Sequence, residues 1–252
     1  MHLCFVLLPD ATQLTARALE KACKEFPDLG KPKWGGTKKG VAHFTVDGVE
    51  VVAALLPAPV PEGEADHATD RSLSGLDGTW ALPEHRAHLA VVHTGDKKKK
   101  PSLATLTTFT RAVAAIVRAT HAVGVYWGEG GATHHPEFVV NIAQSELPLP
   151  IWVGVSIAKA KRGVELLSLG MHKQLGLPDL LLRAPEADGA TLEFFYDLLA
   201  YVVRRGEAIP AGETVGRDER ERLAVKYAKS PIDAEAEVWV VQLPAARKKK
   251  AR

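Results

Sequence analysis

Apolar positions along the chain follow two periods, one of strands and one of helices, and the alternation starts at the first residues. Leu3–Leu8 is a continuous apolar run of strand length, closed by Pro9 and Asp10. Asp10 followed by Gln13 matches a capping box. Leu14, Ala18, Ala22 and Phe26 then recur every four residues, with Leu19 and Cys23 widening the stripe. This spacing predicts an amphipathic helix over 11–26. Asp47-Gly48, between Val41–Val46 and Val49–Leu56, supplies the positive φ angles of a tight hairpin turn and predicts two antiparallel strands. Pro57, Pro59 and Pro61 end the second of these and open a long loop to about residue 84, with a short helix expected inside 66–76. A strand is expected over 88–93 and the longest helix over 102–121. Pro101 suits that helix's first turn, and Leu103, Leu106, Val113, Ile116 and Val117 form its buried stripe.

Beyond Val123 the pattern predicts a short strand to Trp127, a flexible glycine-containing loop and a helix over 136–144. Strands follow over 151–157 and 164–169, joined by a hairpin at 159–163. A turn punctuated by Gly170, Gly176 and Pro178 precedes a strand over 179–183. Thr191 is the expected cap of a helix carrying Leu192, Phe195, Leu199 and Val202 on one face and ending at Gly206. A polar stretch over 213–226 and a last strand over 238–243 complete the pattern. The order β-α-β-β-(α)-β matches a ferredoxin-like unit. The expectation is therefore an α+β protein of two ferredoxin-like halves, 1–122 and 123–244, with mainly antiparallel sheets packed against helices and a disordered basic tail at 245–252.

Composition adds limits. With 252 residues, 46% hydrophobic and 25% charged, the chain can bury a core without disulfide or metal staples. The apolar run near the N-terminus covers only six residues with no basic region before it, and no run reaches bilayer length. No signal peptide or membrane span is expected, and the reading is a cytoplasmic protein with no membrane partner. Cys4 and Cys23 fit buried thiols in a reducing compartment. A net charge of +2 excludes polyanion binding by bulk electrostatics, although Lys97, Lys98, Lys99 and Lys100 form one basic block and Arg247, Lys248, Lys249, Lys250 and Arg252 another.

Several stretches resemble an uncharacterised bacterial family, domain-of-unknown-function family 4261. They are VYWGEG at 125–130, LPLPIWVGV at 147–155, LGMHKQLGLPDLLL at 169–182, DLLAYVVRRG at 197–206 and PAGETVG at 210–216. LLPAPVP at 55–61 and HLAVVH at 88–93 fit its first half. The resemblance implies a bacterial, intracellular protein associated with interbacterial toxin and immunity systems. It carries over no catalytic residue.

The sharpest polar cluster is His134, His135 and Glu137, with Glu129 just upstream. Two imidazoles and a carboxylate can ligate a metal, with His134 and His135 as ligands, or act as a base and its orienting partner. Against this, neighbouring histidines on an extended loop point apart and no zinc spacing is present. His88 and His93, five positions apart, fall on opposite faces of a regular strand. Gly154, Ser156 and Ala158 resemble part of a nucleophile elbow, but Ser156 sits inside a strand pattern rather than a sharp strand-to-helix turn. Gly128, Gly130 and Gly131 can cradle an anion, yet lack the spacing of any phosphate loop. The lysine blocks can contact phosphates, but no stacking-aromatic or helix-turn-helix signature accompanies them.

The leading expectation is a non-enzymatic protein-interaction module, an immunity or accessory factor, with a protein partner and no cofactor. The first alternative is an enzyme or ligand-binding protein with its site around Glu129, His134, His135 and Glu137. The second is weak nucleic-acid binding through the lysine blocks.

Overall fold

The computed structural model describes residues 2–61, 63–76, 78–95 and 102–244. The chain divides into two compact units, Met1–Gly154 and Val155–Arg252. Both combine antiparallel pairing with helices, so the α+β class holds.

In the first unit a seven-stranded antiparallel sheet has the order β2-β3-β4-β5-β1-β6-β7. Its strands are β1 (Leu3–Leu8), β2 (Lys33–Lys38), β3 (Val41–Val46), β4 (Val49–Leu56), β5 (Ala87–His93), β6 (Gly124–Trp127) and β7 (Ala132–His134). The expected boundary at 122/123 moves to 154/155 because β6 pairs with β1, the strand that opens the chain. The hairpin at Asp47-Gly48 forms as expected, both residues having positive φ.

Helix α1 (Ala16–Cys23) is shorter than the predicted 11–26. Thr15 caps it by accepting the Ala18 N–H, whereas the Asp10 carboxylate pairs with Arg86 and leaves the capping box unused. Leu14 and Leu19 are both buried at the two positions of a hydrophobic staple, which sets the start of the helix. Helix α2 (Leu103–Thr120) packs on α1, on α3 (Pro136–Ile142) and on β1 and β4. Buried Trp152, in the short helix α4 (Leu149–Trp152), donates its indole N–H to Thr110 of α2 at 2.8 Å.

Strand alternation assigns the faces of the sheet. Leu7 points away from the helices and packs with Val60 and Ala65 of the long loop, flanked by Phe5, Leu82, Val123 and Tyr126. The loop between β4 and β5 thus serves as the second layer over β1 and β6. Among its described residues only a 3-10 turn, Thr69–Arg71, is regular, less than the helix expected over 66–76.

The second unit holds a five-stranded sheet of order β13-β14-β10-β9-β8. Its strands are β8 (Gly154–Lys159), β9 (Val164–Leu169), β10 (Asp179–Ala184), β13 (Lys226–Lys229) and β14 (Glu237–Gln242). Two further strands, β11 (Thr214–Val215) and β12 (Leu223–Ala224), form a separate pair inside the polar stretch 213–226. β10 runs parallel to β14, so the two sheets differ in strand number, order and direction. Helix α5 (Met171–Leu175) occupies the turn before β10, and α6 (Gly189–Arg205) packs on β10. α6 is capped by Asp188, which accepts the Thr191 N–H at 2.8 Å, so Thr191 lies inside the first turn instead of capping it.

One carboxylate holds the β9–α5–β10 corner. Asp179, half-buried, accepts from the Ser168 hydroxyl at 2.7 Å and from the Met171 amide at 3.1 Å, and the Ser168 oxygen in turn accepts the Leu180 N–H at 2.8 Å. Burial raises the Asp179 carboxyl above its ordinary range, opposed by these hydrogen bonds. Asp179→Ala is expected to lower the unfolding free energy by about 1–3 kcal/mol, the range for stranding buried donors. Combining it with Ser168→Ala is expected to cost less than the sum of the two, because the residues share one network. Urea denaturation of the three variants checks both statements, and strict additivity would contradict the shared network.

Candidate functional site

Residues 129–137 run from the β6–β7 turn through β7 into the first turn of α3. The loop read as flexible from its glycines is a tight turn and an edge strand. At Gly130 a Cβ would lie 2.6 Å from the Trp152 carbonyl oxygen, and at Gly154 one would lie 2.5 Å from the Gly130 oxygen. Two backbones therefore touch where only glycine fits. Gly131 has φ +56° and turns the chain into β7. Close packing of backbones, rather than an anion cradle, accounts for these residues.

β7 is the last strand of its sheet, and its register decides where its side chains go. Thr133 pairs with Tyr126, which pairs with Phe5, so Thr133 faces the loop layer. Its amide donates to the Ala68 carbonyl at 2.9 Å and its hydroxyl to the Ala65 carbonyl at 2.7 Å. His134 pairs with Val125, which pairs with Val6, so it points to the opposite, helix-bearing face. There it meets the same loop again, because the Ser72 hydroxyl lies 2.6 Å from its Nδ1. The loop wraps around the β7 edge.

The hydrogen-bond partners determine the tautomer of His134. Its Nε2 lies 3.1 Å from the Ile151 carbonyl, which can only accept, so Nε2 carries the proton. Nδ1 is then the acceptor, and Ser72 donates to it. The Ser72 oxygen accepts from the Ser74 amide at 3.2 Å and lies 2.8 Å from the Ser74 hydroxyl, while Ser74 accepts the His135 amide at 2.9 Å. The chain Ile151, His134, Ser72, Ser74, His135 is closed. His134 has no solvent exposure and Ser72 only 1%, so this serine–histidine pair is out of reach of a substrate. Burial lowers the His134 pKa to about 4, which keeps the ring neutral.

The remaining members of the cluster serve other contacts. His135 caps α3, its Nδ1 accepting the Glu137 amide at 3.1 Å, and its ring meets Trp80 edge-on at 5.4 Å. Glu137 is exposed and forms a two-point ion pair with Arg118 of α2, which also reaches Glu25 at 3.4 Å. Glu129 is half-buried beside the β6–β7 turn. The two imidazoles thus address different partners, and Glu137 points to a guanidinium. No group of three or more His, Cys, Asp or Glu suited to a metal occurs among the described residues.

Two further histidines join in holding the loop. His85 accepts the Val60 N–H at Nε2, 3.1 Å away, and His88 donates from Nδ1 to the Ala58 carbonyl at 2.8 Å. His93, on the other face of β5, packs against Phe109 and stacks with His2 at 6.4 Å, as the odd spacing from His88 predicts. Ser156 is half-buried inside β8, away from any strand-to-helix turn. Cys4 and Cys23 are buried free thiols. Lys97, Lys98, Lys99, Lys100, Lys248, Lys249 and Lys250, like the rest of the tail 245–252, lie outside the described residues.

A pocket lies elsewhere, in the second unit. It has a volume of about 420 Å³ and lies between α6 and the segment 209–217. Phe194, Leu198 and Ile209 form its buried floor, and Asp197, Tyr201 and Glu213 stand at its rim. The sequence pattern marks Leu198 only as helical and 213–217 only as part of a polar stretch, so nothing in it brings these residues together.

The fully buried His134 makes the fold sensitive to acid. An unfolded imidazole takes up a proton near its ordinary value, whereas the folded one does so only near about 4. Between those values the unfolded chain binds more protons, so stability rises with pH through this window and levels off above it. His2, lowered to about 4 by burial and by the nearby N-terminal charge, acts in the same direction. The unfolding free energy is expected to fall by about 2 kcal/mol per such histidine between about pH 8 and about pH 5. Ser72→Ala at about pH 8 is expected to cost about 1–3 kcal/mol by leaving Nδ1 without its donor. Urea denaturation across this range checks both, and a stability that is flat with pH would refute the first.

Comparison with family models, with curated proteins and with solved structures finds no match for this chain.

Proposed function

We propose that the protein is a bacterial, cytoplasmic protein-interaction module that acts as an immunity or accessory factor in an interbacterial toxin or secretion system. The observation that carries this reading is the use made of the His134, His135 and Glu137 cluster. His134 and Ser72 are buried and bonded within the fold, His135 caps a helix and Glu137 pairs with Arg118, which leaves that cluster without a reacting face. The pocket of the second unit supports the same reading, because exposed Tyr201 stands over an apolar floor in the manner of a recognition surface. The resemblance to domain-of-unknown-function family 4261 supplies the biological setting. No helix among the described residues is long and apolar enough to cross a membrane, which is compatible with a partner met in the cytoplasm.

The first unit also supports the finer fold reading. Taken alone, β1, α1, β4, β5, α2 and β6 follow the chain order β-α-β-β-α-β, and the sheet order β4-β5-β1-β6 places β1 between β5 and β6. We read this part as a ferredoxin-like core extended by β2, β3 and β7. The parallel β10–β14 pair sets the second unit apart from that pattern.

Co-expression with the proteins encoded beside it in the native host is expected to give a stoichiometric complex with one of them that survives gel filtration. If none of these proteins forms such a complex and the purified chain turns over a small substrate instead, the reading falls.

A further inference from the structure

We propose that the pocket of the second unit is a peptide-docking groove that takes an extended segment presenting an apolar side chain next to a lysine or arginine. The inference rests on the protein-interaction role and names the chemistry of the partner segment.

The floor fits the apolar side chain. Phe194 and Leu198, one helical turn apart on α6, are each 4% exposed, and Ile209 is 1% exposed. Tyr201, on the same face of α6, is 51% exposed at the rim. A volume of about 420 Å³ falls in the lower part of the range of ligand sites, roughly 300–1,000 Å³, and holds one or two large side chains. An exposed aromatic beside a buried apolar floor is the arrangement of an interface anchor site.

The rim fits the cation. Arg217 is held by Glu221, whose carboxylate takes its Nε at 3.0 Å as well as its Nη2, and its guanidinium carbon lies 5.5 Å from the Phe194 ring centre. That charge is neutralised in place. Arg205 sits 2.9 Å from Glu207 and 3.7 Å from Glu213, so one guanidinium serves two carboxylates. Asp197 has no ion pair among the described residues. The charged lining residues and their partners thus set Asp197, Glu207, Glu213 and Glu221 against two guanidiniums, and the surplus is negative. A cationic residue is the complement of that surplus, and an acidic segment is disfavoured by it.

The wall opposite α6 explains why a peptide fits better than an enclosed small molecule. Thr214, Val215 and Gly216 line the pocket, and β11 belongs to a sheet of only two strands. One of its edges pairs with β12, and the other has no strand partner among the described residues. An extended segment can add main-chain hydrogen bonds along such an edge while its side chains enter the pocket.

The test is fluorescence polarisation with the full chain and three labelled eight-residue peptides, acetylated and amidated. One carries a Leu-Trp-Lys-Lys core flanked by glycine and serine, the second has both lysines replaced by glutamate, and the third has leucine and tryptophan replaced by serine. The first peptide is expected to bind at least about tenfold more tightly than either of the others. Asp197→Asn with Glu213→Gln, and separately Tyr201→Ala, are each expected to weaken it about fivefold or more with unchanged thermal melting, since all three side chains are exposed. Equal binding of the glutamate or the serine peptide, binding untouched by the substitutions, or no binding of the first peptide would overturn the proposal. Gel filtration of the complex with its protein partner separates the two readings. A complex that forms equally well with all three positions substituted removes the groove and leaves the interaction role standing. Groove-dependent binding of the first peptide, in a chain that retains no partner protein, upholds the groove and removes the role.

Discussion

The hydrogen bond from Ser72 to His134 is the point on which the first unit depends. The described residues of the segment between β4 and β5 contain one short 3-10 turn, yet the segment supplies the second layer of the sheet. A segment of that length with little regular structure closes at an entropic cost that few apolar contacts offset. Its backbone groups also need partners wherever they are covered. Thr133 meets the Ala65 and Ala68 carbonyls at the β7 edge, His134 and the His135 amide add bonds to the Ser72 and Ser74 hydroxyls, and His85 and His88 meet the Val60 amide and the Ala58 carbonyl at the start of the segment. Because Thr133 and His134 point to opposite faces, the loop is gripped on both sides of one strand. An open sheet edge is a template for unwanted pairing, and here the same loop covers it.

The opposite edge is managed by other means. β2 is largely exposed, carries Lys33 and Lys38, and shifts register between Trp34 and Gly36, where Gly36 has φ +122°. Charge and a bulge disrupt its edge, while the stacking of Trp34 on Phe44 holds the strand to β3. Such a strand has no apolar alternation, which is why β2 is not legible in the sequence. β1, β3, β4, β5 and β9 are legible because each carries an uninterrupted or alternating apolar run. α2 and α6 are legible because two or more faces of their stripe repeat over many turns. β7 is only three residues long, and its Ala-Thr-His gives no periodicity to detect. β11 and β12 have the same limitation with two residues each. The boundary between units was misplaced for a related reason: β6 reads as the start of something new, and only its long-range pairing with β1 assigns it to the first sheet.

Of the candidate site, the residue types were legible and their use was not. Adjacent histidines followed by a proline and a glutamate suggest chemistry from composition, but their function depends on Ser72 and Ile151, which lie far away in the sequence. One local signal was available. His135-Pro136-x at the start of an apolar stretch is the pattern of a capped helix with proline in its first turn. A residue committed to a cap is a poor candidate for a ligand. The glycines illustrate the converse. Gly130 and Gly154 are needed because their backbones touch, and close approach of two separated segments leaves no trace in either alone.

The two units carry buried ionisable groups of opposite consequence. In the first, His134 and His2 have lowered pKa values, so acid favours the unfolded chain and stability is gained as pH rises toward neutrality. In the second, the raised Asp179 carboxyl makes ionisation costlier in the folded state, and stability declines as pH rises from its ordinary value to the raised one. Asp179 is nevertheless retained at the corner where Ser168, Met171 and Leu180 are joined, because a neutral side chain without an acceptor would leave those donors buried and unmet. In each unit a titratable side chain is used for its geometry as a hydrogen-bonding group, although burial disfavours its charged form. The exposed carboxylates Asp197 and Glu213 instead stand at the rim of the pocket, where they can act on a partner.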